Sequence, residues 1–291
     1  MAHKKITQWL VVTDLDGTLL NHHNYAIEKA LPAIKKLKMM NIQIIFNTSK
    51  TFDESKALQN KLDINDPFIV ENGSCIYLPK SKYPIIESDY EIYSRDQYWG
   101  IILGKSHSNI SDTLNTIATP SSYYKLLSKC STEEASNLTG LTIEQAKQAI
   151  SREFSEPLIW NSNDENLQIF KKQLKDNSLN TLQGGRFLHA LGKCDKGIAT
   201  KILKDTLLKH TNTVETETET ETETEIKTIT LGDSQNDAAM LNVGDISIIV
   251  KSPSNHNLTA SIIPTIQTTL EAPDGWSQGI DAALLITKDL Q

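Results

Sequence analysis

Cysteine is scarce in this chain of 291 residues, and what little there is excludes two chemistries. Cys75, Cys130 and Cys194 are odd in number, far apart and free of any CxxC pair, so neither a disulfide framework nor a structural zinc site is expected. A block of lysine or arginine is also missing, and with it the footprint of a nucleic-acid surface. The formal charge of -7 misleads, because six glutamates fall in the alternating tract from Glu215 to Glu225; without them 29 basic residues face 30 acidic ones. Nor is there a long apolar run near the N-terminus. The stretch there reaches Asp14 too soon for a secretory or membrane-spanning segment, so a cytoplasmic protein with no membrane partner is expected.

Hydrophobic residues make up 38% of the chain, enough for one large domain or two ordinary ones. Trp9 to Thr13 reads as a strand buried on both faces. Ile27, Leu31, Ile34 and Leu37 then recur at helical spacing up to Asn41, Ile42 to Phe46 is a second strand, Phe52 to Lys61 a helix, and Phe68 to Val70 a third strand. This order predicts a Rossmann-like α/β parallel sheet with helices on its faces. The same pattern resumes in a helix over Lys196 to Leu208, a strand over Lys227 to Leu231, a helix from Asp237 and a strand over Ile246 to Val250.

Between the halves the texture changes, with helical patterns near Ile110 to Ile117 and Ile143 to Ser151, and strand-like pieces at Ile159 and Leu167 to Ile169. The expected organisation is a core over residues 1–81, an inserted α/β domain over 82–185 and the rest of the core over 186–291. Its connections are placed near Pro79 to Pro84 and Asn180 to Gly184. Alternating Glu and Thr offer a core only threonine methyls, so residues 211–225 are expected to be an exposed, disordered loop.

The first strand ends in Asp14-Leu15-Asp16-Gly17-Thr18, two carboxylates on one side of a strand. A structural turn would account for them in isolation. The second strand, however, ends in Thr48-Ser49-Lys50, and the strand ending at Leu231 runs into Gly232-Asp233-Ser234-Gln235-Asn236-Asp237. In a parallel sheet these ends share the edge where open α/β sheets build sites. Four acids converging there would repel, and a hard dication bound by oxygen, Mg2+, is the simplest remedy. Asp14 would then attack phosphorus while Asp16 offers its backbone carbonyl to the metal and its carboxyl to the departing alcohol. Lys196 supplies positive charge, with Lys193 the alternative, and Thr48 suits a phosphate oxygen or a helix cap.

These residues resemble the four motifs of the haloacid dehalogenase superfamily: Asp14-x-Asp16-Gly17-Thr18, Thr48, Lys196 and Gly232-Asp233-x-x-Asn236-Asp237. The resemblance implies a nucleophile at Asp14, an acid/base at Asp16, phosphate contacts at Thr48 and Lys196, and Mg2+ at Asp14, Asp16 and Asp233 with Asp237 in support. The insert is similar to the type C2 α/β cap. FNTSKTFDE, PFIVENGSCIY, REFSEP and GGRFLHALGKCDKG are similar to the mannosyl-3-phosphoglycerate phosphatase branch, and Thr48-Ser49-Lys50 departs from the Thr-Gly-Arg of other members with this cap.

That branch implies hydrolysis of 2-O-mannosyl-3-phosphoglycerate, a small phosphorylated sugar-glycerate, by a monomer or homodimer. Candidate substrate contacts are Ser49, Lys50, Asn72, Gly184, Gly185, Arg186, His189 and Asn236, with Arg186 placed against the glycerate carboxylate. Glu71 and Gly73 fall near the leaving group, whereas Arg152, Glu153 and Glu156 are equally consistent with surface ion pairs. Trp99 and Trp160 are expected in the cap, and Trp276 over the entrance. Phosphatases of glucosyl-3-phosphoglycerate, sucrose phosphate or hexose phosphate, a phosphohexomutase, and a phosphate-binding module without activity remain open alternatives.

Overall fold

Val11 and Trp9 point into a core on one face of their strand, while Leu10 and Val12 point into a second core on the other. Period-two alternation of residues that are all apolar demands this arrangement. The computed structural model describes residues 4–184, 187–217, 222–253, 258–262 and 264–289. Within them β1 (Lys4–Thr13), α1 (Leu31–Met39), β2 (Gln43–Asn47), α2 (Phe52–Lys61) and β3 (Phe68–Val70) alternate as the pattern predicts. Pro32 sits in the first turn of α1, and Asn41, at φ 54°, turns the chain away after its end. In α2 Thr51 and Glu54 form a reciprocal capping box.

β4 (Cys75–Pro79), β5 (Glu91–Arg95) and β6 (Tyr98–Ile102) continue the same sheet antiparallel. The inserted unit holds α3 (His107–Thr116), β7 (Tyr124–Leu126), α4 (Thr132–Thr139), α5 (Ile143–Ile150), β8 (Ser155–Trp160), α6 (Asp164–Asp176), β9 (Asn180–Gly184) and β10 (Phe187–Leu191). The chain returns through α7 (Lys196–Glu217), β11 (Thr222–Gly232), α8 (Ala238–Leu241), β12 (Ile246–Lys251), β13 (Thr265–Glu271) and α9 (Asp274–Asp289). Among the described residues the larger sheet runs β13-β12-β11-β1-β2-β3-β4-β6-β5, parallel as far as β3. Ile34 and Leu37 of α1 pack on one face with Ile280 and Leu284 of α9, and Leu203 and Leu207 of α7 pack on the other. The result is an α/β core with helices on both faces. The cap is an antiparallel sheet, β7-β8-β10-β9, whose core joins Leu158 and Leu188 to Ile110 of α3 and Phe170 of α6.

Four features differ from the sequence expectation. β5 and β6 lie on the core sheet, because Tyr98 packs against Phe68 at 5.5 Å in an aromatic cluster that extends the core beyond residue 82. Trp99 goes with them, its indole donating to the Tyr83 carbonyl. The chain therefore crosses to the cap after Ile102 and returns after Leu191, since β10 pairs with β8 and β9. Leu167 to Ile169 is helical: Leu167, Phe170 and Leu174 share one face of α6, and Asn163 caps it. Finally, in the Glu/Thr tract α7 extends to Glu217, and β11 begins at Thr222, paired in register from Lys4 onward. A backbone ladder needs no apolar side chains, which is how this segment becomes a strand without a core; residues 218–221 lie outside the described ones.

Candidate active site

The N–H of Asp14 donates to the carbonyl of Leu231 at 3.0 Å, so the ends of β1 and β11 lie side by side and bring Asp14 to Asp233. Asp14, Asp233 and Asp237 are buried, and each offers a carboxylate oxygen within 4.8 Å of the others. Gly17 makes this possible. Its φ is 82°, and a Cβ there would come within 2.6 Å of Asp233 Oδ2. Thr18 Oγ1 then donates to Asp233 Oδ1 at 3.1 Å. Lys196, at the start of α7, donates 2.5 Å to Asp14 Oδ1 and 2.6 Å to Asp237 Oδ1. The other Asp237 oxygen accepts the backbone N–H groups of Asp233 and Ser234, both at 3.1 Å. Lys193 is exposed.

One ammonium thus faces three buried carboxylates. Burial raises the Asp14 carboxyl well above its ordinary range; Lys196 opposes the shift, and Asp237 and Asp233 add to it. Burial, with Asp237, pushes Asp233 up to about 7. Burial would lower Lys196, but Asp14 and Asp237 outweigh it and hold the ammonium charged. The excess negative charge and the all-oxygen donor set of the triad fit Mg2+. The Asp16 side chain stands outside this triad, its Oδ2 paired with Lys50 at 2.9 Å.

A cavity of about 560 Å³ lies between core and cap. Asp14, Asp16, Ser49, Lys50, Asp233 and Asn236 line it from the core, and Arg152, Gln183, Gly184 and His189 from the cap. Thr48 is fully buried, its hydroxyl accepting the Lys50 N–H at 3.1 Å, while the cap of the following helix is Thr51. Asn72, at φ 59°, accepts from Asn236 at 3.4 Å, and its Nδ2 is buried with no partner among the described residues. Gly184 leaves room for His189, whose Nε2 would lie 3.1 Å from a Cβ at that position. Burial, then Arg152, lowers the His189 imidazole to about 3. Gly185 and Arg186 lie outside the described residues.

Sequence reasoning missed the seam between the two domains. Glu71 is buried, and its carboxylate accepts from Glu153 N, Phe154 N and Ser155 Oγ of the cap, at 2.9, 3.2 and 2.6 Å. Arg152 is no surface residue either: Nη1 donates to the Ser49 carbonyl at 3.0 Å and to Ser155 Oγ at 3.1 Å. Glu156 is buried against His107 and the Ser128 N–H. The signal available in sequence was Glu71-Asn72-Gly73, which adopts three successive positive φ angles, with Gly73 packed against the Asp195 carbonyl. Trp276, expected over the entrance, is instead buried beneath β1, donating to Thr13 Oγ1 at 3.0 Å.

Fold and site together place the chain in a known class. It belongs to the haloacid dehalogenase-like hydrolases, whose family model matches residues 11–262. It is 31% identical over 273 residues to a glucosyl-3-phosphoglycerate/mannosyl-3-phosphoglycerate phosphatase of Persephonella marina, covering 93% of this chain and 95% of that one. A protein of the same description from Methanococcoides burtonii is 34% identical over 274 residues, with the same coverage. Among solved structures, a haloacid dehalogenase-like hydrolase from Bacteroides thetaiotaomicron has the same fold, with a TM-score of 0.62 at 14% identity over 95% of this chain and 99% of that one. No helix among the described residues is long and apolar enough to cross a membrane.

Proposed function

We propose that this protein is a Mg2+-dependent phosphomonoesterase that hydrolyses a hexosyl-3-phosphoglycerate, first of all 2-O-mannosyl-3-phosphoglycerate, to the hexosylglycerate and phosphate. The observation that carries the reading is Asp14, held at one oxygen by Lys196, with Asp16 two residues on lining the same cavity. The Asp14 carboxylate attacks phosphorus as the bond from phosphorus to the glycerate oxygen breaks, and Asp16 gives that oxygen a proton. Water then attacks the aspartyl phosphate, losing its proton to Asp16 and restoring Asp14. A bound Mg2+, held by Asp14 and Asp233 with Asp237 behind them, would neutralise charge on the phosphoryl group. Lys196 keeps Asp14 oriented, and Ser49, which lines the same cavity, offers polar groups to phosphate oxygens.

The substrate assignment is supported by the shared description of the two relatives, glucosyl-3-phosphoglycerate/mannosyl-3-phosphoglycerate phosphatase, and by a cavity of about 560 Å³, ample for a sugar joined to glycerate. A phosphate-release panel with Mg2+ tests it, comparing mannosyl-, glucosyl- and unglycosylated 3-phosphoglycerate with hexose phosphates. The expected result is a clear preference for the glycosylated phosphoglycerates; flat, low activity across the panel rules the substrate out. Asp14→Asn should lower release at least about a thousandfold, since it removes the attacking group. Retention of activity in that variant would overturn the covalent route.

A further inference from the structure

We infer that Lys50 is a positioning residue for proton transfer, holding one oxygen of Asp16 so that the other is free to carry the proton, and is not a grip on the substrate. The inference rests on the reading of Asp16 as the acid. Lys50 Nζ lies 2.9 Å from Asp16 Oδ2 and 3.6 Å from Glu54 Oε1, one turn along α2. It also lies 5.2 Å from the centre of the Tyr25 ring. Glu54 is itself fixed, accepting the Thr51 N–H at 3.0 Å in the capping box. A chain of contacts therefore runs from the helix cap through Glu54 and Lys50 to Asp16. Burial works against the charge on Lys50, but Asp16 and Glu54 outweigh it and keep the ammonium protonated. At the far end, Asp16 Oδ1 is buried and has no partner among the described residues. An orphaned buried oxygen on a cavity-lining carboxyl calls for a partner that arrives with the substrate.

The chemistry needs this asymmetry. When the Asp14 oxygen bonds to phosphorus and the bond to the leaving oxygen breaks, the proton on Asp16 Oδ1 moves to that oxygen, and the resulting carboxylate rests against the Lys50 ammonium. Without the tether the Asp16 carboxyl rotates about a soft terminal torsion and loses its aim. A leaving group that departs as a stable anion needs no proton, and this gives the test. kcat/KM is measured with 3-phosphoglycerate, an alkyl ester, and with 4-nitrophenyl phosphate, an aryl ester, in the unaltered protein and in Lys50→Met, Lys50→Arg and Asp16→Ala. Lys50→Met should lose about 10- to 100-fold on the alkyl ester and less than about threefold on the aryl ester, with Lys50→Arg restoring much of the difference. Aryl turnover also reports that the site is folded; Lys50→Gln replaces the Met variant if that one melts early. Equal losses on both esters at an unchanged melting temperature, or no loss on either, overturn the inference. If Asp16→Ala fails to separate the two esters, the acid assignment itself falls; if it separates them and Lys50→Met does not, only the role of Lys50 falls.

Discussion

The Asp233 carboxyl titrates at about 7 in the folded protein, against an ordinary value of 3.8, because it is buried beside Asp237. The sign of the consequence follows directly. Between about pH 4 and 7 an unfolded chain has released this proton while the folded one retains it, so in metal-free protein this group's contribution to stability is full below that window and lost as pH rises through it. Mg2+ needs the carboxylate free of its proton and removes the repulsion that raised it. Added Mg2+ should therefore raise the melting temperature more at pH 8 than at pH 5.5, and Asp233→Asn should shrink that difference. A shift equal at the two pH values, or larger at the lower, would contradict the assignment. The acids of this site were legible in sequence because Asp14 and Asp233 close adjacent strands and Gly17 clears the space between them. The link from Lys50 to Asp16 was not, since it joins residues far apart in the chain through a rotamer that no motif spells out.

At the level of elements, periodicity identified what local chemistry decides. α2 and α5 carry their own capping boxes, α1 carries a buried apolar stripe of Ala33, Ile34 and Leu37, and β2 and β12 are short apolar runs. β5 and the first residues of β11 owe their state to a partner strand, which a local pattern does not reveal. The turn after β3 is a similar case. Glu71 and Asn72 take left-handed backbone angles that non-glycine residues adopt at a cost, and the return is a carboxylate delivered to three donors at the start of β8. Glu71→Ala would strand two backbone N–H groups and a hydroxyl in a buried seam. It should cost at least about 2 kcal/mol in urea unfolding at neutral pH. A loss below about 0.5 kcal/mol would show that water or a neighbouring acceptor replaces the carboxylate.

The molecule as a whole divides the work between its two parts. The carboxylates, Lys196 and Lys50 all stand on the core, whereas His189, Gln183 and Arg152 reach the cavity from the cap. In the proposed reading the core does the chemistry on any phosphate ester, and the cap recognises the rest of the molecule. His189 is the sharpest probe of that division. Its imidazole, lowered to about 3 by burial and by Arg152, is neutral at every pH where the protein would be assayed, and its Nδ1 has no partner among the described residues. A neutral ring offers hydrogen bonds to sugar hydroxyls or to the glycerate carboxylate and takes no part in acid–base steps near neutrality. His189→Ala should therefore raise KM for the hexosyl-phosphoglycerate by about 5- to 30-fold, the worth of one or two hydrogen bonds. Turnover of 4-nitrophenyl phosphate should stay within about threefold of the unaltered protein, and the pH profiles of the two proteins should superimpose between pH 5 and 8. A displaced limb in that profile would assign His189 to proton transfer, and a parallel collapse of aryl turnover would mean that the cap shapes the reacting centre itself.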